Sequence, residues 1–233
     1  MAATGGARRR YHHGDLSNAL TDAATALARA GGPGAVVLRE AARRVGVSAT
    51  AAYRHFASHD DLMHAVKERS LQALADAMRE ELDAAGPAGT GTAAAPAAIA
   101  RLEAIGRGYL RFALTEPGLF RAAFCQATGP PERVTTGMAE DAAFGLLGQV
   151  VDGLVTAGVM AADQRPGADL AAWATVHGLA MLLLDGPLAA LPEAEQAAAV
   201  VRTSQLVVAG LSTSRAPRRR APVRSPHGSA ARP

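Results

Sequence analysis

A single cysteine, Cys125, stands in a chain of 233 residues, which excludes an intrachain disulfide and fits a reducing compartment. Aromatic residues are scarce too, at 4%. A β-sandwich fills its faces with aromatic and β-branched side chains, whereas here much of the 49% hydrophobic content is alanine. That balance favours helices drawn together by small side chains. No apolar run reaches the roughly eighteen residues of a bilayer-spanning helix. None follows the basic N-terminal residues as a secretion signal would. The chain is therefore expected to be cytoplasmic, with no membrane partner. It also lacks Gly-x-Ser-x-Gly, a P-loop, a Gly-x-Gly-x-x-Gly after a strand and Cys-x-x-Cys. No catalytic residue, enzyme activity or cofactor is expected.

What is present is an uneven distribution of charge behind a net value of +3. Residues 1–58 carry eight Arg against Asp15, Asp22 and Glu40, whereas residues 59–212 carry ten Lys or Arg against eighteen acids. Residues 213–233 carry six Arg and no acid. Basic ends on an acidic body suit contact between the ends and a polyanion. Basic termini also serve as solubilising tails, and residues 213–233 are read as a disordered basic tail of that kind. Residues 1–10, ending in Arg8-Arg9-Arg10, are read as a disordered basic arm.

From Asp15 the pattern turns helical, with Leu16, Leu20, Ala23, Ala24 and Leu27 recurring every three or four residues. Gly31-Gly32-Pro33-Gly34 ends that helix. A second is expected over about 38–45, with Ala41, Ala42 and Val45 facing inward, and Gly46 closes it. Ser48 is placed to cap a third from Ala49 to about Phe56. Ser58 followed by Asp61 has the form of a capping box and opens a fourth helix that runs to about Ala84. The Gly/Ala/Thr/Pro-rich stretch over 85–98 reads as a linker. Helices are expected beyond it over about 99–115, 119–126, 136–157, 169–184 and 193–211. No segment alternates with period two, so the expected fold class is all-α.

Two short helices joined by a tight glycine turn describe a helix-turn-helix, placed here within about 37–56. Ala49, Ala51 and Ala52 are small enough to let the second helix sit deep in a major groove. Thr50 and Arg54 can reach base edges, as can Arg39 at the start of the first helix. Ser48, Tyr53 and His55 can donate to phosphates, which set register without reading sequence. Phe56 is expected to anchor the third helix to the first.

The stretch VLREAARRVGVSATAAYRHFASHDDL (Val37–Leu62) resembles the DNA-binding domain of the TetR family of transcriptional regulators along its whole length. The likeness includes the Gly-Val-Ser turn and a Tyr-x-His-Phe close followed by two acids and a Leu. It reaches back through YHHGDL and covers about 11–74. RRRYHHGDL, GLFRAAF (Gly118–Phe124) and Trp173-x-x-x-His177-Gly178 together resemble the branch named for a C-terminal Trp-His-Gly motif. The resemblance implies a homeodomain-like three-helix reader over 11–74 and a larger helical ligand-binding and dimerisation domain over 99–212. It implies a homodimer through the last two helices, a near-palindromic operator, and a repressor released by a small-molecule effector. Arg39, Ala49, Thr50 and Ala51 match groove-facing positions of the family, and Tyr53 and His55 match phosphate or groove contacts. One position departs. Family members usually carry a Lys at the start of the fourth helix, where this chain has His59, a neutral donor of one hydrogen bond. Arg8, Arg9 and Arg10 can compensate by gripping the backbone or the minor groove.

In the body, Trp173 and His177 lie four residues apart on one helical face. Either they are a core Trp beside a hydrogen-bonded His, or His177 offers a polar group to a ligand cavity. Met138, Phe144, Met160 and Met181 are candidate walls of that cavity and equally ordinary core residues. His12 and His13 with Asp15, or His55 with His59, have no cysteine nearby, and no metal site is expected. Cys125 reads as a small buried hydrophobe. A rival reading is a helical ligand-sequestering or partner-binding protein with a vestigial DNA module. Another is a sequence-neutral nucleoid-type protein that uses its basic ends.

Overall fold

A computed structural model of the chain describes residues 13–125 and 142–212. Arg8, Arg9, Arg10 and His12, the tail 213–233, Met138 and the first part of the helix expected over 136–157 lie outside the described residues. The elements are α1 (His13–Gly31), α2 (Leu38–Val45), α3 (Ala49–Tyr53), α4 (His59–Ala84), α5 (Ala94–Thr115), α6 (Pro117–Phe124), α7 (Ala142–Thr156), α8 (Ala168–Leu184) and α9 (Glu193–Leu211). Short 3₁₀ turns over 33–35, 91–93, 162–164 and 187–190 join some of them. Among the described residues the fold is all-α, as expected.

α4 is the spine. Its 26 residues span about 39 Å, and it packs against α1, α5, α6 and α7. Its start is pinned by reciprocal hydrogen bonds: the Asp61 amide donates to Ser58 Oγ and the Ser58 amide to Asp61 Oδ2, each at 3.0 Å. Leu62, Val66, Leu74, Met78 and Leu82 form its buried stripe. Ser70 falls within that stripe and is fully buried, and its hydroxyl donates to the Val66 carbonyl at 2.8 Å. Leu20, Ala24, Leu38, Ala41, Ala42, Ala52 and Phe56 join the same core, which continues into the body through Leu102, Phe120, Val151 and Leu183.

Three boundaries differ from the sequence expectation. α3 ends at Tyr53 rather than near Phe56, because the Arg54 and His55 amides donate to carbonyls only three residues back, Ala51 and Ala52, and tighten the end into a turn. The linker is shorter than 85–98, since α5 already begins at Ala94. Alanine is the strongest helix former, and Pro96 falls in the first turn, where amides have no intrahelical partner. α6 begins at Pro117, two residues earlier than expected, with the proline at its first position.

Small residues set how closely the helices meet. A Cβ placed on Gly108 of α5 would lie 2.7 Å from Met78 Cα and 2.8 Å from the Ala77 carbonyl oxygen of α4. Backbone meets backbone there. Next to this crossing, Arg111 bridges to Glu80 at 2.6 Å and to Glu81 at 3.2 Å, with Arg107 at 3.5 Å from Glu81. The Glu80 hydrogen bond holds the Arg111 guanidinium above its ordinary pKa. These pairs are largely exposed and add little stability. Gly108→Ala gains about 1 kcal/mol of helix propensity, but the clash should outweigh it and destabilise the fold by roughly 1–3 kcal/mol. Thermal melting would show this as a lowered midpoint, and an unchanged or raised midpoint would count against the contact.

Candidate nucleic-acid interface

The turn between α2 and α3 is a local construction. Gly46 adopts φ 79° and ψ 28°, a left-handed conformation that a side chain resists. The Val47 amide then donates to the Ala42 carbonyl at 3.0 Å and closes the end of α2. Ser48 accepts the Ala51 amide at 3.1 Å and so caps α3. An accepting hydroxyl keeps its own proton, so Ser48 can cap and still donate to a phosphate.

α3 buries one face and leaves another open. Ala52 is fully buried and Phe56, four residues on, is nearly so, which presses the helix onto the core. Thr50 and Arg54 are exposed, Tyr53 is 47% exposed, and Ala49, Ala51 and His55 are half-buried. Arg39 is exposed on α2. Arg39, Ser48, Thr50, Tyr53 and Arg54 are therefore all open to solvent, with Ala49, Ala51 and His55 less so. Arg43 and Arg44 are basic as well, but both are committed to Glu40: Arg43 donates through Nε at 2.8 Å and Nη2 at 2.7 Å, and Arg44 through Nε at 3.2 Å. These hydrogen bonds hold the Glu40 carboxyl down to about 2.

His59 is placed differently from what its sequence position suggests. Its Nε2 lies 3.1 Å from the Val36 carbonyl oxygen, which can only accept, so Nε2 carries the proton. Nδ1 is 3.9 Å from Asp60. The single N–H of a neutral ring is thus spent on holding α4 to the loop before α2.

A second constellation forms in the body. Tyr109 of α5, Phe120 and Phe124 of α6, Phe144 of α7, and Trp173 and His177 of α8 converge. Trp173 stacks on His177 with centroids 5.0 Å apart, and Phe124 meets the imidazole edge-on at 4.6 Å. Phe144 stands perpendicular to Trp173 at 6.4 Å, while Phe120 lies 4.9 Å from Phe124. Tyr109 Oη and His177 Nδ1 share a hydrogen bond at 2.7 Å. Of the two sequence readings of this pair, a hydrogen-bonded His beside a packed Trp describes the geometry; both rings remain half-buried. Met160 is buried. Met181 is 39% exposed at the surface of α8, too open in the single chain to wall an interior cavity. Tyr109, Phe120 and Phe124 were not singled out from sequence as partners of His177. Only the four-residue spacing of the two Phe in GLFRAAF hinted at a shared face.

Burial lowers the His177 pKa, so its ring offers hydrogen bonding without charge. The Arg121 guanidinium donates to both oxygens of Asp185 through Nε at 3.0 and 3.1 Å, tying α6 to the end of α8 and lowering the Asp185 pKa. Cys125 donates to the Ala122 carbonyl, and burial pushes its thiol up, opposite to what a reactive cysteine needs. Among the described residues no cluster of His, Cys, Asp and Glu is placed to hold a metal ion, and no helix is long and apolar enough to cross a membrane.

A capped helix set on a glycine turn, one side buried and the other edge polar, belongs to the helix-turn-helix class of DNA-binding proteins. Residues 20–66 match the family model of bacterial regulatory proteins, tetR family, and residues 102–205 match the tetracyclin repressor-like C-terminal domain. The chain belongs to the TetR family and is a transcriptional regulator of that kind. The C-terminal match does not distinguish the Trp-His-Gly branch. A solved structure of a protein of unknown function from Rhodococcus sp. RHA1 is similar, with 27% identity, a TM-score of 0.67, and coverage of 88% of this chain and 100% of that one. The TetR family transcriptional regulator PfmR from Thermus thermophilus shares the fold at 19% identity and TM-score 0.51, over 82% of this chain and 98% of its own. The putative regulatory protein SCO4313 does so at 21% and 0.58, over 88% and 100%. No curated protein matches the sequence.

The lowered pKa of His177 links stability to pH. Above its ordinary value of 6.5 the ring is neutral in folded and unfolded chains alike. Below that value the unfolded chain takes up a proton that the folded one resists, so stability is lost as pH falls towards the lower folded pKa. Urea midpoints measured between about pH 7.5 and about pH 5 should therefore fall less steeply in His177→Gln than in the parent. Parallel slopes would remove the ring from the account.

Proposed function

We propose that the protein is a dimeric repressor that reads a near-palindromic operator through α3 and releases it when a small molecule binds the body. The observation that carries the reading side is the division of α3: Ala52 and Phe56 are spent on the core, leaving Thr50 and Tyr53 open to solvent. Ala49 and Ala51 let the helix approach the base pairs, and Thr50, Arg54 and Arg39 read their edges. Ser48, Tyr53, His55 and His59 meet phosphates. Arg8, Arg9 and Arg10 extend the grip into the minor groove.

The outer surface of the last two helices supports the dimer. Apart from Asp169 and His177, α8 is built almost wholly of apolar and small residues. It buries Ala172, Leu179, Ala180 and Leu183 while leaving Leu170, Met181 and Leu182 exposed. α9 has no buried residue at all and exposes Val201 and Leu206 at 56% and 62%. A helix apolar on all sides belongs inside a larger core, and a second copy related by a two-fold axis supplies the missing half. The two copies of α3 then face half-sites about 34–36 Å apart. The effector of this reading binds the helical body, which over 102–205 matches the tetracyclin repressor-like C-terminal domain. A coupling of roughly 1–3 kcal/mol between effector and DNA is enough to empty the operator. The function is regulation rather than catalysis.

Selection from a random duplex pool should recover a two-fold-related site. Thr50→Ala and Tyr53→Ala should lose that selection while keeping the helical spectrum and the melting midpoint. Recovery of no preferred sequence by the parent would favour a ligand-sequestering protein or a sequence-neutral DNA coat. Leu206→Glu places a charge on the proposed two-fold surface. It should sediment as a monomer and bind the selected duplex about 10²-fold more weakly, and a dimeric Leu206→Glu would move the interface elsewhere.

A further inference from the structure

We propose that Gly118, with the Arg29–Glu116 pair beside it, is a positioning point for operator recognition: the contact of α6 with the last turn of α1 sets how far apart a dimer holds its two recognition helices. The inference rests on the dimeric operator reading above and concerns the residue that fixes its geometry.

Most helical glycines in this chain have room for a side chain. A Cβ added at Gly106, Gly145, Gly153 or Gly178 would meet nothing within 4 Å. At Gly118 it would lie 2.3 Å from the Ala28 carbonyl oxygen and 2.5 Å from that of Arg29. Both atoms are backbone, so no rotamer change relieves the clash. α6 must recede from α1 by about 1 Å to restore ordinary contact. The charges at the joint agree with close docking: the amide end of α6 abuts the carbonyl end of α1, an attractive arrangement of helix dipoles. Next to it Arg29 Nε donates to Glu116 Oε2 at 2.8 Å.

The other end of α6 is held just as firmly, on a different part of the molecule. Arg121 forks onto Asp185 at the end of α8, and Phe120 and Phe124 pack around His177. α8 carries the exposed apolar face assigned to the dimer, while α1 packs on α2, which in turn holds α3. One eight-residue helix therefore connects the proposed two-fold surface to the reader, through a joint with no compressible side chain in it. A displacement at that joint enters the separation of the two α3 copies twice, once from each protomer. A dimer whose heads no longer match both half-sites loses the gain of bivalent binding.

The test uses the full chain and the duplex selected by the parent, alongside a duplex carrying one half-site. Gly118→Ala should bind the two-site duplex roughly 10²-fold more weakly than the parent. It should bind the single half-site equally well and, on reselection, recover sites with a changed spacer. Should Gly118→Ala not fold, Arg29→Glu, which sets like charges at the exposed joint, should show the same pattern in weaker form. Adding Glu116→Arg to it should restore the parent's affinity and spacer. A folded variant with unchanged two-site affinity and spacer overturns the proposal, as does equal weakening on both duplexes, which marks simple destabilisation. A parent that selects no sequence removes the operator reading itself, and this inference with it.

Discussion

The architecture depends on helices that touch through their backbones. Alanine and glycine leave little between one helix and the next, so α5 crosses α4 at Gly108 and α6 meets α1 at Gly118 with no side chain as a cushion. Close-packed interiors do not deform continuously, and backbone contacts yield least of all. A chain so poor in aromatic residues has few large side chains to fill gaps, and close approach is its alternative. The consequence is mechanical: a displaced helix would push on its neighbour rather than be absorbed between them.

The reader and the body use this rigidity differently. At α3 the small residues lie on more than one face: Ala52 packs against the core, while Ala49 and Ala51 stay half-exposed. Charge follows the same economy. Arg43 and Arg44 share the single carboxylate of Glu40, while Arg39 and Arg54 stand exposed. In the body Tyr109, Phe120, Phe124 and Trp173 gather around one imidazole, and burial keeps that ring uncharged. α6 contributes to both regions, its first turn lying on α1 and its Phe120 and Phe124 against His177.

Much of the reader was legible in the sequence. Gly46, the Ser48 cap and the Ser58–Asp61 box are interactions across three to five residues, and such interactions leave residue-type signatures in place. The beginning of α5 was less legible, because Pro and Gly signal a break without saying that Pro96 will fall in a tolerated first turn. The packing partner of His59 was not legible for a different reason. Its position suggested phosphate, but its only neutral donor goes to Val36, which lies 23 residues away.

What the sequence determined by itself is the order and character of the helices and the side chains offered at the reader, since periodicity, capping and turn conformation are settled among near neighbours. The tertiary structure alone decided which distant groups meet: Tyr109 with His177 across 68 residues, Arg121 with Asp185 across 64, and Arg29 with Glu116 across 87. It also decided that a Cβ at Gly118 would meet backbone while one at Gly178 would meet nothing. No local pattern encodes those outcomes, because each depends on where a helix lies after the whole core has closed.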